Sequence, residues 1–176
     1  MAGFAVLMLF NSDAKSWAIQ GLMSVGFFQP SLEPPTISSN TSTEIAFKDG
    51  NGKIVRLSEL KGKVVFINFW ATWCPPCRAE MPSISRLSEE LKENKDVVFL
   101  MVDVDSDYKK AKKFIDNKNY ALPVYVPASS IPETLLDGTI PTTLIFDKEG
   151  NLVVKHTGAG NFSSKEVKEY LTKLSQ

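Results

Sequence analysis

The spacing of hydrophobic and polar residues predicts alternating strands and helices along most of the chain. Residues 63–70, KVVFINFW, are almost wholly apolar and rich in β-branched and aromatic side chains, as is typical of a strand covered on both faces. An apolar repeat of helical period follows to about Asn94, with Pro82 inside it. Residues 96–105, DVVFLMVDVD, predict a second buried strand, and LPVYV at 122–126 predicts a third.

Shorter elements surround these three strands. Residues 43–57 contain two strand-like runs around an Asp-Gly-Asn-Gly turn, and residues 142–158 have the pattern of a second hairpin. Further helices are predicted at 106–118, 131–138 and 163–175. This order of elements predicts an α/β fold in which a mixed central sheet is flanked by helices.

The N-terminal segment, residues 1–42, has a different pattern. Residues 4–10, FAVLMLF, are apolar but too few to span a bilayer, and we expect them to be the end of a truncated membrane anchor. A short helix packed on the domain is the alternative. Residues 13–28 have loosely helical spacing, and residues 29–42 have the proline and serine content of a linker. The folded domain is therefore expected at 43–176.

Composition limits the possible classes of function. The chain has 176 residues, 43% of them hydrophobic, which suffices for one core and does not require two domains. Twenty Lys and Arg residues balance twenty Asp and Glu residues, so no long-range field steers the protein toward nucleic acid. Two cysteines are too few for a disulfide-stapled scaffold. We expect one globular domain that binds no nucleic acid.

Both cysteines lie in WATWCPPCRAE, residues 70–80, where a predicted strand gives way to a helix. The free N–H groups and the positive dipole end of a helix N-terminus stabilise a thiolate. Pro75 and Pro76 suit the first helical turn, where an amide hydrogen would lack an intrahelical partner. Cys77 can attack a mixed disulfide formed on Cys74 and so release the product. The motif predicts a dithiol redox centre.

A metal site is one alternative for these cysteines. Zinc usually takes four protein ligands, and the chain offers only two cysteines and one histidine, His156. Copper binding or delivery by Cys74, Cys77 and His156 stays open, because soft thiolates and an imidazole suit copper. A peroxidase acting through Cys74 would need a hydroxyl, such as that of Thr72, and an arginine around the peroxide, whereas the CxxC spacing favours disulfide exchange.

Three stretches carry a resemblance to a known family: LSELKGKVVFINFW, FWATWCPPC and GTIPTTLIFDKEG. Over residues 43–174 the chain resembles the thioredoxin superfamily, in particular its TlpA/ResA-like branch of membrane-anchored thiol-disulfide oxidoreductases. The resemblance implies a thioredoxin-like fold with an N-terminal β-hairpin and an added helix and strand at about 105–126.

The resemblance also implies a location and a set of partners. Members of this branch are typically extracytoplasmic, in the periplasm or on the outer face of the cytoplasmic membrane, and reduce exported proteins, often apocytochrome c. The expected partners are a disulfide-containing protein as substrate and a thiol donor protein in the membrane. The catalytic domain is expected to be a monomer. No cofactor is expected beyond the redox-active Cys74–Cys77 disulfide. A disulfide-forming oxidase would share the fold, so the direction of electron flow stays open.

The resemblance assigns roles to individual residues. Cys74 matches the exposed nucleophile, Cys77 its resolving partner, and Pro141 the cis-proline that faces the dithiol. The backbone of Ile140 is then expected to pair with an extended substrate segment. Trp73 either contacts substrate or packs in the core. The expected substrate-contact surface comprises Trp73, Pro75, Pro76, Ile140 and Pro141.

One difference from thioredoxin itself concerns the proton acceptor. Thioredoxin has a buried aspartate six positions before the nucleophile, and this chain has Asn68, which cannot titrate. Glu80 lies three residues after Cys77 on the same helical face and matches an acidic residue of the TlpA/ResA-like branch. Desolvation there would raise its pKa and let it exchange protons with the cysteines. The alternative is a solvated glutamate paired with Arg78 or Lys92.

Overall fold

The computed structural model describes residues 12–24, 28–32 and 45–176. The apolar segment at 4–10 and most of the expected linker lie outside these ranges, so the anchor, the linker and the domain boundary stay predictions. Within the described ranges, none of the helices combines the length and the apolar character that a membrane crossing requires.

Seven strands and four helices form the described part of the chain. In chain order they are α1 (Ser12–Ser24), β1 (Ala46–Lys48), β2 (Ile54–Arg56), a 3-10 helix (Leu57–Leu60), β3 (Val64–Trp70), α2 (Pro75–Glu90), β4 (Val97–Asp103), α3 (Tyr108–Asn117), β5 (Val124–Pro127), β6 (Thr142–Phe146), β7 (Leu152–Thr157) and α4 (Lys165–Leu174).

The strands form one mixed sheet in the order β2-β1-β5-β4-β3-β6-β7. Strand β3 lies parallel to β4 and antiparallel to β6, while β4 and β5 are also parallel. The predicted mixed α/β fold is therefore confirmed, including the added helix and strand, which are α3 and β5. Both hairpins also form, β1 with β2 and β6 with β7.

Strand β3 is buried along its whole length because both faces of the sheet are covered. Phe66 and Trp70 point into the core that contains residues of α2, α3 and α4, whereas Ile67 and Phe69 point into a second core on the opposite face. Alternate side chains of a strand face opposite sides. Double coverage explains the nearly continuous apolar run in the sequence.

The prediction of a helix at 131–138 is wrong. The segment forms turns, in which the Leu135 and Leu136 N–H groups both donate to the Pro132 carbonyl. Eight residues are too few to hold a helix without strong packing. Leu135 is nonetheless fully buried in the second core. Helix α2 is also shorter than expected and ends at Glu90.

Helix α1 packs against α2 close to the cysteine motif. The Ser16 hydroxyl donates to the Pro75 carbonyl at 2.9 Å, and the Asp13 carboxylate pairs with the Arg78 guanidinium. Met23 is buried against Ala79. The N-terminal helix is thus connected directly to the first turn of the helix that carries the cysteines.

We expect Ser16→Ala to lower the free energy of unfolding by about 1 kcal/mol, because it removes a partly buried hydrogen bond. Urea unfolding measures this change, and proteolysis of α1 in the folded protein should become faster. Lys15→Ala is the matched control, since Lys15 lies on the exposed side of the same helix. Equal losses in the two variants would contradict a specific role of the Ser16 contact.

Candidate active site

Cys74 and Cys77 form a disulfide at the N-terminus of α2. Cys74 is the N-cap residue, and its Sγ accepts a hydrogen bond from the Cys77 N–H at 3.2 Å. Pro75 and Pro76 occupy the first two helical positions, where no amide hydrogen is needed. The expected exposure of Cys74 is wrong for this oxidised state: Cys74 is only 3% exposed, and Cys77 is fully buried. After reduction, the same helix terminus would favour the thiolate of Cys74.

The segment before β6 lies against the disulfide. The Cys74 Sγ is 3.9 Å from the Ile140 carbonyl oxygen, and the Ile140–Pro141 peptide bond is cis. Strand β6 begins at Thr142, so the Ile140 backbone lies just before the sheet ladder. Pro141 is buried and Ile140 is half-buried.

Trp73, directly before the nucleophile, lies at the surface. Its side chain is 56% exposed, so it does not pack in the core. The indole Nε1–H donates to the Asp105 carboxylate at 2.8 Å, which links the cysteine loop to the loop after β4. The hydrogen bond gives an exposed aromatic side chain a defined orientation beside Cys74.

Glu80 is completely buried one helical turn beyond Cys77. Its Oε1 accepts a hydrogen bond from Asn68 Nδ2 at 2.7 Å, and its Oε2 accepts one from the Gly160 N–H at 3.1 Å. Burial raises the pKa of Glu80 to about 8, although both hydrogen bonds favour the charged form and oppose this rise.

The alternative surface role for Glu80 is therefore wrong. Arg78 pairs with Asp13 on α1, and Lys92 pairs with Glu89, so neither pairs with Glu80.

His156 lies on β7, where its ring packs edge-on against Phe162 at 5.9 Å between centroids. Burial lowers the pKa of His156. Among residues 12–24, 28–32 and 45–176, no three His, Cys, Asp or Glu side chains form a group that could hold a metal ion. The copper alternative thus finds no ligand cluster in this part of the chain.

Several contacts of the site escaped the sequence analysis. Thr143 and Gly160 bond to the buried polar groups, and Asp105 orients Trp73. Gly160 is 80 positions from Glu80, and Thr143 is 75 positions from Asn68. No local spacing signals such pairs. Only the hydrogen-bond requirement of a buried carboxyl could have indicated that some donors must be present.

The fold and the disulfide at a helix N-terminus define a thiol-disulfide oxidoreductase of the thioredoxin-like class. The chain belongs to the Redoxin family, whose family model matches residues 35–174. It is 36% identical over 128 residues to the thiol-disulfide oxidoreductase ResA of Bacillus cereus, an alignment that covers 72% of each chain.

Solved structures give the same result. A Bacteroides vulgatus protein assigned as a thiol-disulfide oxidoreductase superposes with a TM-score of 0.64 at 29% identity, covering 81% of this chain and 97% of that one. An exposed lipoprotein thioredoxin of Streptococcus pneumoniae gives 0.53 at 32% identity, covering 73% of this chain and 96% of that one. The resemblance to ResA-like oxidoreductases is therefore confirmed.

Proposed function

We propose that this protein reduces disulfide bonds of exported proteins outside the cytoplasm, and that apocytochrome c is among its substrates. One observation carries the proposal. A disulfide at a helix N-terminus lies beside the Ile140 carbonyl, with a fully buried carboxyl, Glu80, one turn below it. This arrangement supplies a nucleophile, a resolving thiol, a backbone edge for the substrate and a proton acceptor.

In the proposed reaction, the Cys74 thiolate attacks one sulfur of a substrate disulfide. The substrate S–S bond breaks, its leaving thiolate takes up a proton, and a mixed disulfide joins Cys74 to the substrate. Cys77 then loses its proton to Glu80 and attacks Cys74 Sγ, so that the mixed disulfide breaks and releases the second substrate thiolate. This thiolate takes up a proton from solvent, and Glu80 returns the Cys77 proton to solvent. The substrate gains two electrons and two protons, and the Cys74–Cys77 disulfide forms, with no further cofactor.

The pKa of Glu80 suits it to this proton transfer. A group that exchanges protons with a thiol works best when its pKa lies near the operating pH. A solvated glutamate would be fully ionised and a weak base. Burial raises the pKa of Glu80 to about 8, which is close to the pKa of an ordinary thiol.

The proposed substrate segment is extended and pairs strand to strand with the Ile140 backbone. Exposed Trp73 directly precedes Cys74 in the chain and offers an aromatic face to the substrate segment. Half-buried Pro75 and Pro76 add to the proposed contact surface without a side-chain charge, and buried Pro141 lies directly after the Ile140 backbone to which the substrate is proposed to pair. Such a surface suits many sequences, which fits a reductase of several exported proteins.

We also propose that the chain is tethered to the membrane, acts as a monomer and is re-reduced by a membrane thiol donor. The pneumococcal structure comes from an exposed lipoprotein, which supports a tethered location. The chain has two cysteines in all, so it holds no second pair that could relay electrons. Re-reduction of the Cys74–Cys77 disulfide therefore requires an external donor.

The reduction potential of the Cys74–Cys77 couple at pH 7 tests the direction of electron flow. We expect a value near or below about −250 mV in defined thiol buffers, in the range of thioredoxin. A value near about −120 mV, like that of a strong periplasmic oxidant, would show that the protein forms disulfides instead.

The apocytochrome part needs its own substrate test. We expect an oxidised peptide with the haem-attachment sequence Cys-x-x-Cys-His to be reduced faster than a peptide of equal length with the histidine moved away from the cysteines. Equal rates would contradict a preference for apocytochrome c.

A further inference from the structure

A row of buried polar side chains crosses the sheet beneath the dithiol. Asn68 on β3 lies directly opposite Thr143 on β6, and the exposed fractions of the two residues are 0% and 1%. The Asn68 amide nitrogen donates twice, to Glu80 Oε1 at 2.7 Å and to Thr143 Oγ1 at 2.9 Å. Asn68 therefore connects the buried carboxyl to Thr143, and His156 on β7 lies opposite Thr143 in the same row.

This arrangement of donors matches a charged carboxylate. Both oxygens of Glu80 accept hydrogen bonds, one from Asn68 and one from the Gly160 N–H. The Asn68 carbonyl oxygen, in contrast, is buried and accepts no hydrogen bond. A buried acceptor without a donor is unfavourable. With Glu80 charged, the Asn68 carbonyl oxygen is thus left without a hydrogen bond.

A protonated Glu80 requires the opposite arrangement. If its Oε1 carries the proton, that oxygen becomes a donor and meets the Asn68 NH₂ donor to donor. A half-turn of the amide places the Asn68 carbonyl oxygen where the nitrogen was. This oxygen has two lone pairs and can accept from the Glu80 carboxyl and from the Thr143 hydroxyl, because a hydroxyl can donate or accept.

We propose that Asn68 and Thr143 are positioning residues that hold Glu80 in both protonation states, by reversal of the Asn68 amide. The proposal rests on the proposed role of Glu80 as proton acceptor for Cys77. A rigid donor set would favour only the charged form and would oppose proton uptake. A reversible amide with a hydroxyl behind it instead bonds the carboxyl before and after each proton transfer.

Few titratable groups lie around Glu80. Cys77 lies on the same helix, Arg78 is turned to Asp13, and the His156 imidazole approaches from β7 beside Gly160. From β3 and β6, the groups that contact Glu80 and Asn68 are an amide and a hydroxyl, which do not titrate. A pH response of the Asn68 amide can therefore be assigned by removing the Glu80 charge.

The test is an NMR titration of the oxidised protein, in which the cysteines do not titrate. The Asn68 side-chain N–H signals should shift with pH at the same midpoint as the Glu80 carboxyl carbon. In Glu80→Gln, whose amide can donate to the Asn68 oxygen, these signals should stay at their low-pH positions at every pH. The Asn94 side-chain amide, which donates to Ser175, is the internal control and should not move.

The variant Asn68→Leu tests the proposal through the pH midpoint of the Glu80 titration. Asn68→Leu removes the donor to the charged carboxylate, so the Glu80 midpoint should rise by about 1 to 2 pH units. Asn68 signals that stay fixed while Glu80 titrates, or that adopt their high-pH positions in Glu80→Gln, would overturn the proposed reversal. The proposed function fails separately, if Glu80 titrates but the pH dependence of Cys77 thiolate formation is the same in wild type and Glu80→Gln.

Discussion

Replacing Cys77 with serine is expected to stop turnover and to trap a stable mixed disulfide between Cys74 and the substrate. Cys74 lies beside the Ile140 carbonyl, where the substrate is proposed to bind, and it can still attack. The serine hydroxyl cannot displace the bound sulfur, so each chain should retain one equivalent of substrate. Non-reducing electrophoresis and mass spectrometry measure the adduct.

Cys74→Ser is the matched control for this experiment. Cys77 is fully buried and has no access to a protein substrate, so this variant should form no adduct under the same conditions. Adducts of equal yield in the two variants would contradict the assignment of Cys74 as nucleophile.

The second large effect concerns stability and pH. The free energy of unfolding of the oxidised protein should fall by about 1.4 kcal/mol per pH unit over most of the interval from pH 4.5 to about 8 through Glu80 alone. The folded-state pKa of Glu80 is raised above its ordinary value of 4.5. Between these two values the folded protein holds a proton that the unfolded chain has released, so raising the pH favours unfolding.

Urea unfolding at a series of pH values measures this slope, with Glu80→Gln as the reference. Burial also raises the pKa of Asp103, to about 6, and lowers that of His156, but both groups titrate in both proteins. The difference between the two stability curves therefore isolates Glu80. A difference that does not vary with pH in this interval would mean that Glu80 keeps an ordinary pKa in the fold.

The main elements of the fold could be predicted from local pattern. The apolar run of β3 indicates a strand buried on both faces, and the Asp-Gly-Asn-Gly turn indicates the first hairpin. The Cys-Pro-Pro-Cys motif after a buried strand indicates a dithiol at a helix N-terminus, because proline and thiolate both suit that position. In each case the cause lies within a few residues.

Local pattern failed where distant parts of the chain decide the outcome. Residues 131–138 have a helix-like sequence, but they form turns from which Leu135 packs into the second core. Helix α1 has only loose periodicity, and its contact with Pro75 depends on how the two helices pack. Such contacts leave no regular spacing in the sequence.

Glu80 shows most clearly which properties follow from the sequence and which depend on tertiary packing. Its position one turn after Cys77 follows from sequence and helical geometry alone. Its complete burial and its hydrogen bonds to Asn68 and Gly160 exist only after strand β3, helix α2 and the segment after β7 have packed together. The sequence by itself determined which groups could do redox chemistry here. The tertiary structure decided the pKa of Glu80 and the hydrogen-bond partners of these groups, because burial and long-range contacts are properties of the packed chain.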